Sequence, residues 1–387
     1  MRLVMIGDVG VVDDMVHIGD EAMFEAARDE LAARGAEITA VSSAPAETAA
    51  RYGVAAVPRI GFDGLDREAA ERRLRAVLDG GGSLASDDPA RAVIEAVSAA
   101  DGVVVAGGGN LASTWPLHVY ERAALAGIAA RTKTPLVVSG QTLGPSLIGR
   151  DRELVAQLLT AARRAGVRES ASQRVAADLG VDARLGVDDA SFLGSPAMDA
   201  AESGVLVSLS LSLGGASRPE TVARIADLVD AATETVGAPA TFHAHFGPLE
   251  GTAPRGDALL HEEVRARMRT PSTVVASGDA RGAASLARSS AILITGRYHP
   301  AVFAAPAGVP VLGLVTDEYT AVKQRGALAH WGQDAIVPIT AADSDGVARL
   351  RELWAGRDEI ADEARRRLPE HRADAAAWWD DVVAAFA

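Results

Sequence analysis

The feature that most narrows the fold of this chain is a repeated alternation of short β-branched runs with longer amphipathic segments. In the first half, residues 3–6, 38–41, 103–105 and 136–138 read as buried strands, with residues 20–34, 89–99 and 151–165 as the helices between them. Right-handed crossovers of this kind produce a parallel sheet covered on both faces, with ligands expected at the carboxyl ends of its strands. The rhythm pauses at residues 195–204, SPAMDAAESG, and resumes with strands at 205–211, 241–245, 273–276, 292–294 and 309–314. Helices such as 219–236 and 279–288 separate these strands. A chain of 387 residues also exceeds what one hydrophobic core usually supports. The expectation is an α/β protein with an N-terminal domain at 1–198 and a C-terminal domain at 199–357. A helical segment at 358–387 follows, with Trp378, Val382 and Phe386 recurring four apart on one face, and is expected to pack across both domains.

Composition excludes several classes of function. Aromatic residues are only 4% of the chain, so the cores must be built from Ala, Val, Leu and Ile, which suits helices layered on parallel strands. A net charge of -14 without a basic arm repels phosphate backbones, so nucleic acid is not an expected partner. Any anionic ligand would need cations gathered locally. The absence of cysteine removes disulfides, thiolate ligands and cysteine nucleophiles. The apolar start MRLVMI is too short for a signal-peptide core, and nowhere do eighteen apolar residues run without charge. A cytoplasmic protein without stable membrane insertion is expected; the oligomeric state is not encoded.

The most informative segment is ILITGRYHPAVFAAPAGVPVLGL, residues 292–314. A strand ends at Gly296, Arg297 and His299 fall on the following loop, Pro300 suits a first helical turn, and Gly308 stops that helix. Basic side chains at a helix N-terminus suit a phosphate or carboxylate.

GRYHPAVFAAPAGVP resembles the Gly-Arg-X-His signature of the polysaccharide pyruvyl transferase family, with its short helix and Gly-Val-Pro. GDVGVVDDMVHIGDEAM at 7–23 is similar to the family's opening loop and Gly-Asp-Glu-Ala, AGGGNL at 106–111 to its second Gly-rich loop, and SGQTLGP at 139–145 to its Gly-Gln-Gly strand end. VRESAS at 167–172, DDASF at 188–192 and DEYTAVK at 317–323 resemble its Arg-Glu-X-X-Ser, Asp-Pro-Ala-Phe and closing Tyr-Asp-X-Lys. His17 stands where the family usually has Asn, and the interior of 141–144 is altered. Acceptor identity is therefore left open, a non-glycan hydroxylated compound included.

The resemblance implies two Rossmann-like domains facing across a cleft, similar to the glycosyltransferase B fold. It implies transfer of pyruvyl from phosphoenolpyruvate to two hydroxyls of a sugar or glycan precursor, free or lipid-linked, giving a cyclic ketal and phosphate in polysaccharide biosynthesis. His299, Arg168 and Lys323 carry over as the catalytic set, with Arg297, Gly296, Arg168 and Lys323 binding the donor. Asp20, His17, Asn110, Gln141 and Asp189 are assigned to the acceptor side. No cofactor and no metal are expected. His299 suits a proton shuttle, Arg168 a bidentate grip on the carboxylate or phosphate, and Lys323 the leaving phosphate.

Plainer readings stand beside these. Arg168 next to Glu169 fits a surface ion pair, Arg297 and His299 fit helix capping, and Lys323 fits a solvated helix charge. Glycines 107–109 fit a tight turn, Asp20 a helix start, and Asp189 a bond to its own turn. His243 and His245 would make a metal pair only if His261 or Asp257 folded against them. Two rival functions remain: a glycosyltransferase using a nucleotide sugar, and a non-catalytic glycan-binding or assembly protein.

Overall fold

The computed structural model describes residues 1–80, 82–194, 204–251 and 254–387. In chain order its strands are β1 Arg2–Ile6, β2 Met15–His17, β3 Glu37–Ser42, β4 Ala55–Pro58, β5 Gly102–Val105, β6 Gly108–Leu111, β7 Leu136–Leu143, β8 Arg164–Val167 and β9 Arg184–Leu185. They continue as β10 Val205–Ser208, β11 Ala240–His243, β12 Phe246–Pro248, β13 Ser272–Val275, β14 Ile292–Thr295, β15 Val311–Val315 and β16 Ile336–Pro338. One parallel sheet runs β4-β3-β1-β5-β7-β8-β9, with β6 also pairing with β7. A second parallel sheet runs β13-β11-β10-β14-β15-β16.

Helix starts follow the local chemistry. Asp88 caps the helix Pro89–Ser98 by accepting from the Ala90 amide, and Asp279 caps Ala280–Arg288 through the Gly282 amide. Asp317 and Thr320 exchange side-chain bonds in a capping box that opens Glu318–Ala329. The helix expected at 151–165 instead spans Gly149–Ala161, because residues 164–167 enter the sheet as β8 beside β7. An Ala- and Arg-rich stretch carries no stop signal at that point.

The chain divides into two compact units. Unit 1 comprises Met1–Val12, Met23–Asp189 and Ala373–Ala387, and unit 2 comprises Asp13–Ala22 and Ala190–Arg372. This departs from a linear division at 198. The pause at 195–203 lies outside the described residues, and Ala190 already belongs to unit 2. Residues 13–22 join unit 2 because β2 pairs antiparallel with β12, setting His17 opposite Phe246, while the Ile18 amide donates to the His245 carbonyl. The terminal helix is a single element, Arg357–Ala384. Its residues to Arg372 belong to unit 2 and the rest to unit 1, where Trp378, Trp379, Val382 and Phe386 are buried with Leu3, Met5, Phe24, Val104 and Val137.

The core of unit 2 is built from Val205, Val207, Ile225, Val229, Phe242, Ile292, Ile294 and Leu312, as expected for strands buried on both faces. No helix among the described residues is long and apolar enough to cross a membrane.

Candidate functional site

In unit 2, β14 ends at Thr295 and the chain turns through Gly296 into a helix, Tyr298–Ala304. Arg297 is the N-cap residue with extended backbone, so His299 lies within the first turn and not on the preceding loop. The helix has only seven residues and no side-chain cap. His299 is half-buried, and its ring meets Tyr298 with centroids 5.0 Å apart and Phe303 at 6.0 Å. A Cβ on Gly19 would overlap the His299 imidazole, so the sequence Ile18-Gly19-Asp20 sits directly on the candidate proton shuttle. His17, just before it, is exposed and stacks on Phe246 at 4.0 Å. Two residues expected on the acceptor side, His17 and Asp20, therefore belong to the unit that carries His299.

Lys323 joins them from the helix Glu318–Ala329. Its ammonium lies 5.0 Å from the ring centroid of Tyr298 and 4.6 Å from that of Tyr319, and it donates to Tyr319 Oη at 3.2 Å. Two aromatic faces and a phenol hold the cation, and among the described residues no carboxylate stands within ion-pair distance of it. Tyr298 and Tyr319 lie inside the quoted motifs, yet motif reading does not single them out because their work is done through ring faces.

Arg297 has a different role from the open anion contact expected. Its Nε and Nη2 donate to the two oxygens of Asp257 at 2.7 and 2.5 Å, and Asp257 is fully buried. The same carboxylate accepts from the amides of Leu211 and Phe246, both at 3.0 Å. Arg297 is thus committed to pinning three loops to one another. Asp257→Ala leaves a guanidinium and two amides without their acceptor. It is expected to cost about 3 kcal/mol, measured by urea unfolding against wild type.

Three histidines surround this pin. His243 donates through Nε2 to the Ser277 carbonyl, and His261 Nε2 accepts from the Leu209 amide, which places the His261 proton on Nδ1. The Nδ1 atoms of His243, His245 and His261 are buried without a hydrogen-bond partner. Burial lowers the pKa of all three. His245 is further depressed by His243, His299, Arg297 and His261, and His261 falls to about 4 despite the nearby Asp257. Asp257 and His261 do fold toward the pair. Their ligating atoms are spent on Arg297 and Leu209, however, and among the described residues no group of three or more such side chains is placed to hold a metal.

Unit 1 holds the remaining candidates. Arg168 is buried, with Nη1 donating to Asp188 at 2.7 Å and Nε to Thr142 Oγ1 at 2.9 Å. It makes an internal ion pair in place of the bidentate grip expected from the motif. Neither is it a surface pair with Glu169, which is buried too and accepts from Thr142 and Ser172. Asn110 donates to Asp8, which also binds Arg122 and His118. Burial raises the Asp8 pKa, but Arg122, His118 and Arg59 outweigh it and hold the carboxyl well below its ordinary range.

Gln141 lies in β7, where the register with β8 shifts between Val138 and Gln141, and Gly140 takes φ +52°. That bulge turns Ser139 toward Asp189, whose two oxygens lie 2.9 and 3.1 Å from the hydroxyl. Trp378 Nε1 in turn donates to Ser139 at 2.8 Å. A chain separation of 239 residues hides this contact from any motif.

The fold is α/β with two Rossmann-like domains, similar to the glycosyltransferase B type. A UDP-GlcNAc 2-epimerase from Neisseria meningitidis, solved with UDP-GlcNAc bound, superposes with a TM-score of 0.62 at 9% identity, covering 100% of this chain and 99% of that one. The spinosyn rhamnosyltransferase SpnG gives 0.57 at 16% identity, covering 99% and 100% of the two chains. MurG from Acinetobacter baumannii gives 0.55 at 10%, covering 98% and 99%. At such identities these likenesses establish the fold alone. A search of the curated proteins finds no significant match. The family model for polysaccharide pyruvyl transferase matches residues 17–318, which takes in every motif from the His17 segment to the start of the Lys323 helix. The chain accordingly belongs to the polysaccharide pyruvyl transferase family.

Proposed function

We propose that this protein transfers the pyruvyl group of phosphoenolpyruvate to two hydroxyls of a sugar or glycan precursor, forming a cyclic ketal and releasing phosphate. The observation that carries the reading is that His299 and Lys323 both meet the Tyr298 ring in unit 2, with no carboxylate among the described residues within ion-pair distance of the Lys323 ammonium. A cation so placed suits a phosphate, and a half-buried imidazole in the next residue suits proton transfer at neutral pH.

The chemistry balances without a cofactor. One hydroxyl oxygen bonds to C2 of the enol phosphate and releases its proton to solvent, while C3 takes a proton and becomes a methyl group. The second hydroxyl oxygen then bonds to C2 as the bond from C2 to the phosphate oxygen breaks, and its proton leaves with the phosphate. In this reading His299 delivers the proton to C3, and Lys323 stabilises charge on the departing phosphate. Arg297 and Arg168 act as positioning residues through Asp257 and Asp188.

Thermal unfolding with each donor tests the proposal, because only a ligand of the native state raises the midpoint by mass action. Phosphoenolpyruvate is expected to stabilise the wild type. Lys323→Met is expected to weaken that binding by about 10- to 100-fold, the loss of one charge-assisted contact. A midpoint raised by UDP-sugars and unmoved by phosphoenolpyruvate would assign the protein to glycosyl transfer instead. Phosphate release from phosphoenolpyruvate with a hydroxylated acceptor excludes a purely binding role.

A further inference from the structure

In unit 2 the helix that carries Lys323 is tied to the turn that carries His299 through the side chain of Gln324. This residue follows Lys323 on Glu318–Ala329 and is only 2% exposed. Its Nε2 donates to the Arg297 carbonyl at 2.9 Å. Turning the amide over would set its oxygen against that carbonyl, so the bond fixes its orientation. Oε1 is then buried with no hydrogen-bond partner. An acceptor left in that state costs free energy that an apolar side chain of the same size would not. For stability alone the amide is a poor choice; what it supplies is a fixed distance between two elements.

Both ends of the bond are anchored. Thr295 Oγ1 accepts from the Arg297 amide at 3.0 Å, and Asp257 holds the Arg297 guanidinium. The Thr295 hydroxyl has one proton for two carbonyls, those of Arg297 and Ser208, at 2.8 and 2.9 Å. Gln324 is therefore the donor committed to the Arg297 carbonyl, and His299 lies two residues further on. On the other side, the capping box of Asp317 and Thr320 fixes the start of the Lys323 helix. The Lys323 ammonium reaches back to the ring of Tyr298, the residue between Arg297 and His299.

We infer that Gln324 is a positioning residue, whose bond to the Arg297 carbonyl seats Lys323 over the Tyr298 ring and holds its ammonium at a fixed spacing from the His299 imidazole. The inference deepens the proposed pyruvyl transfer and rests on it only for the effect on turnover. The seating of Lys323 is a property of the chain without substrate.

The spacing matters because a donor gripped at its phosphate by Lys323 presents C3 to His299 only when the two groups keep their separation. A misplacement of about 1 Å is enough to cost on the order of 10²-fold in rate. Gln324→Met keeps the length of the side chain and removes the donor together with the orphaned oxygen, two changes that offset each other in stability. The variant is expected to unfold within a few degrees of wild type. Its kcat is expected to fall by about 10- to 100-fold, with KM for phosphoenolpyruvate changed by less than about threefold.

Amine labelling separates the seat from the reaction. Lys133 and Lys323 are the only lysines in the sequence, and Lys133 is exposed in unit 1. Reductive methylation without substrate, followed by peptide mass spectrometry, thus reads Lys323 against an internal reference. The ratio of the Lys323 rate to the Lys133 rate is expected to rise at least about threefold in Gln324→Met, as the ammonium leaves the two rings and Tyr319 Oη. An unchanged ratio in the folded variant overturns the positioning role, whether or not the protein transfers pyruvyl. Turnover within about threefold of wild type overturns it as well. A raised ratio in a protein that never consumes phosphoenolpyruvate supports the seat and counts against pyruvyl transfer alone. Gln324→Leu carries both measurements if the methionine variant does not fold.

Discussion

Replacing His299 with Asn is expected to reduce turnover by about 10³-fold while leaving the unfolding midpoint within a few degrees of wild type. The argument rests on position. His299 is only half-buried, and its ring is shaped into place by Gly19 and Phe303, so an amide of similar size near Nδ1 preserves the packing. What disappears is a group able to deliver and regain a proton near neutral pH. Donor affinity, which the proposal gives to Lys323, is expected to change far less than kcat. A variant that keeps wild-type turnover removes His299 from the proton path. One that loses donor affinity and keeps kcat makes it a binding residue.

Acidification is expected to destabilise the protein steeply below neutral pH, through the histidines around the Asp257 pin. His243, His245 and His261 all have folded pKa values below the ordinary 6.5, with burial as the leading cause. As pH falls below 6.5, the unfolded chain takes up protons that the folded chain refuses, so the sign is loss of stability toward acid. Three such groups give a slope on the order of 4 kcal/mol per pH unit when all are protonated only in the unfolded state. The window opens at 6.5, and the share carried by His261 ends near 4, where that residue titrates in the fold. Urea unfolding at a series of pH values between 7 and 4.5 checks it, and His261→Gln should lower the slope by about a third. A stability unchanged over that range would mean the three rings share protons with groups that offset burial.

The alternation of strands and helices was legible in the sequence because buried parallel strands read as continuous apolar runs and acidic caps mark helix starts at Asp88, Asp279 and Asp317. Short elements were not. β2 has three residues, too few to show a period, yet its pairing with β12 decides that His17 and Asp20 belong to unit 2. The bulge in β7 was likewise silent, since Gly140 signals only that the backbone needs freedom there.

For the site, motif order picked out His299 and Lys323, which the fold brings together, and Arg297 and Arg168, which it binds to Asp257 and Asp188. An arginine in a motif looks the same whether it grips a ligand or a buried carboxylate, because the partner is distant in sequence. Asp257 stands 40 residues from Arg297, and Trp378 stands 239 from Ser139. Pairings of that length are set by the packing of whole elements and leave no local trace.

Running the reaction in deuterium oxide, with phosphoenolpyruvate and a methyl hexopyranoside, tests the central claim most directly. Addition to C2 with protonation at C3 places one solvent-derived deuterium in a new ketal methyl group, detected by proton and carbon NMR alongside stoichiometric phosphate. Unconsumed phosphoenolpyruvate with no ketal methyl signal, across acceptors that the protein binds, would contradict pyruvyl transfer by this chain.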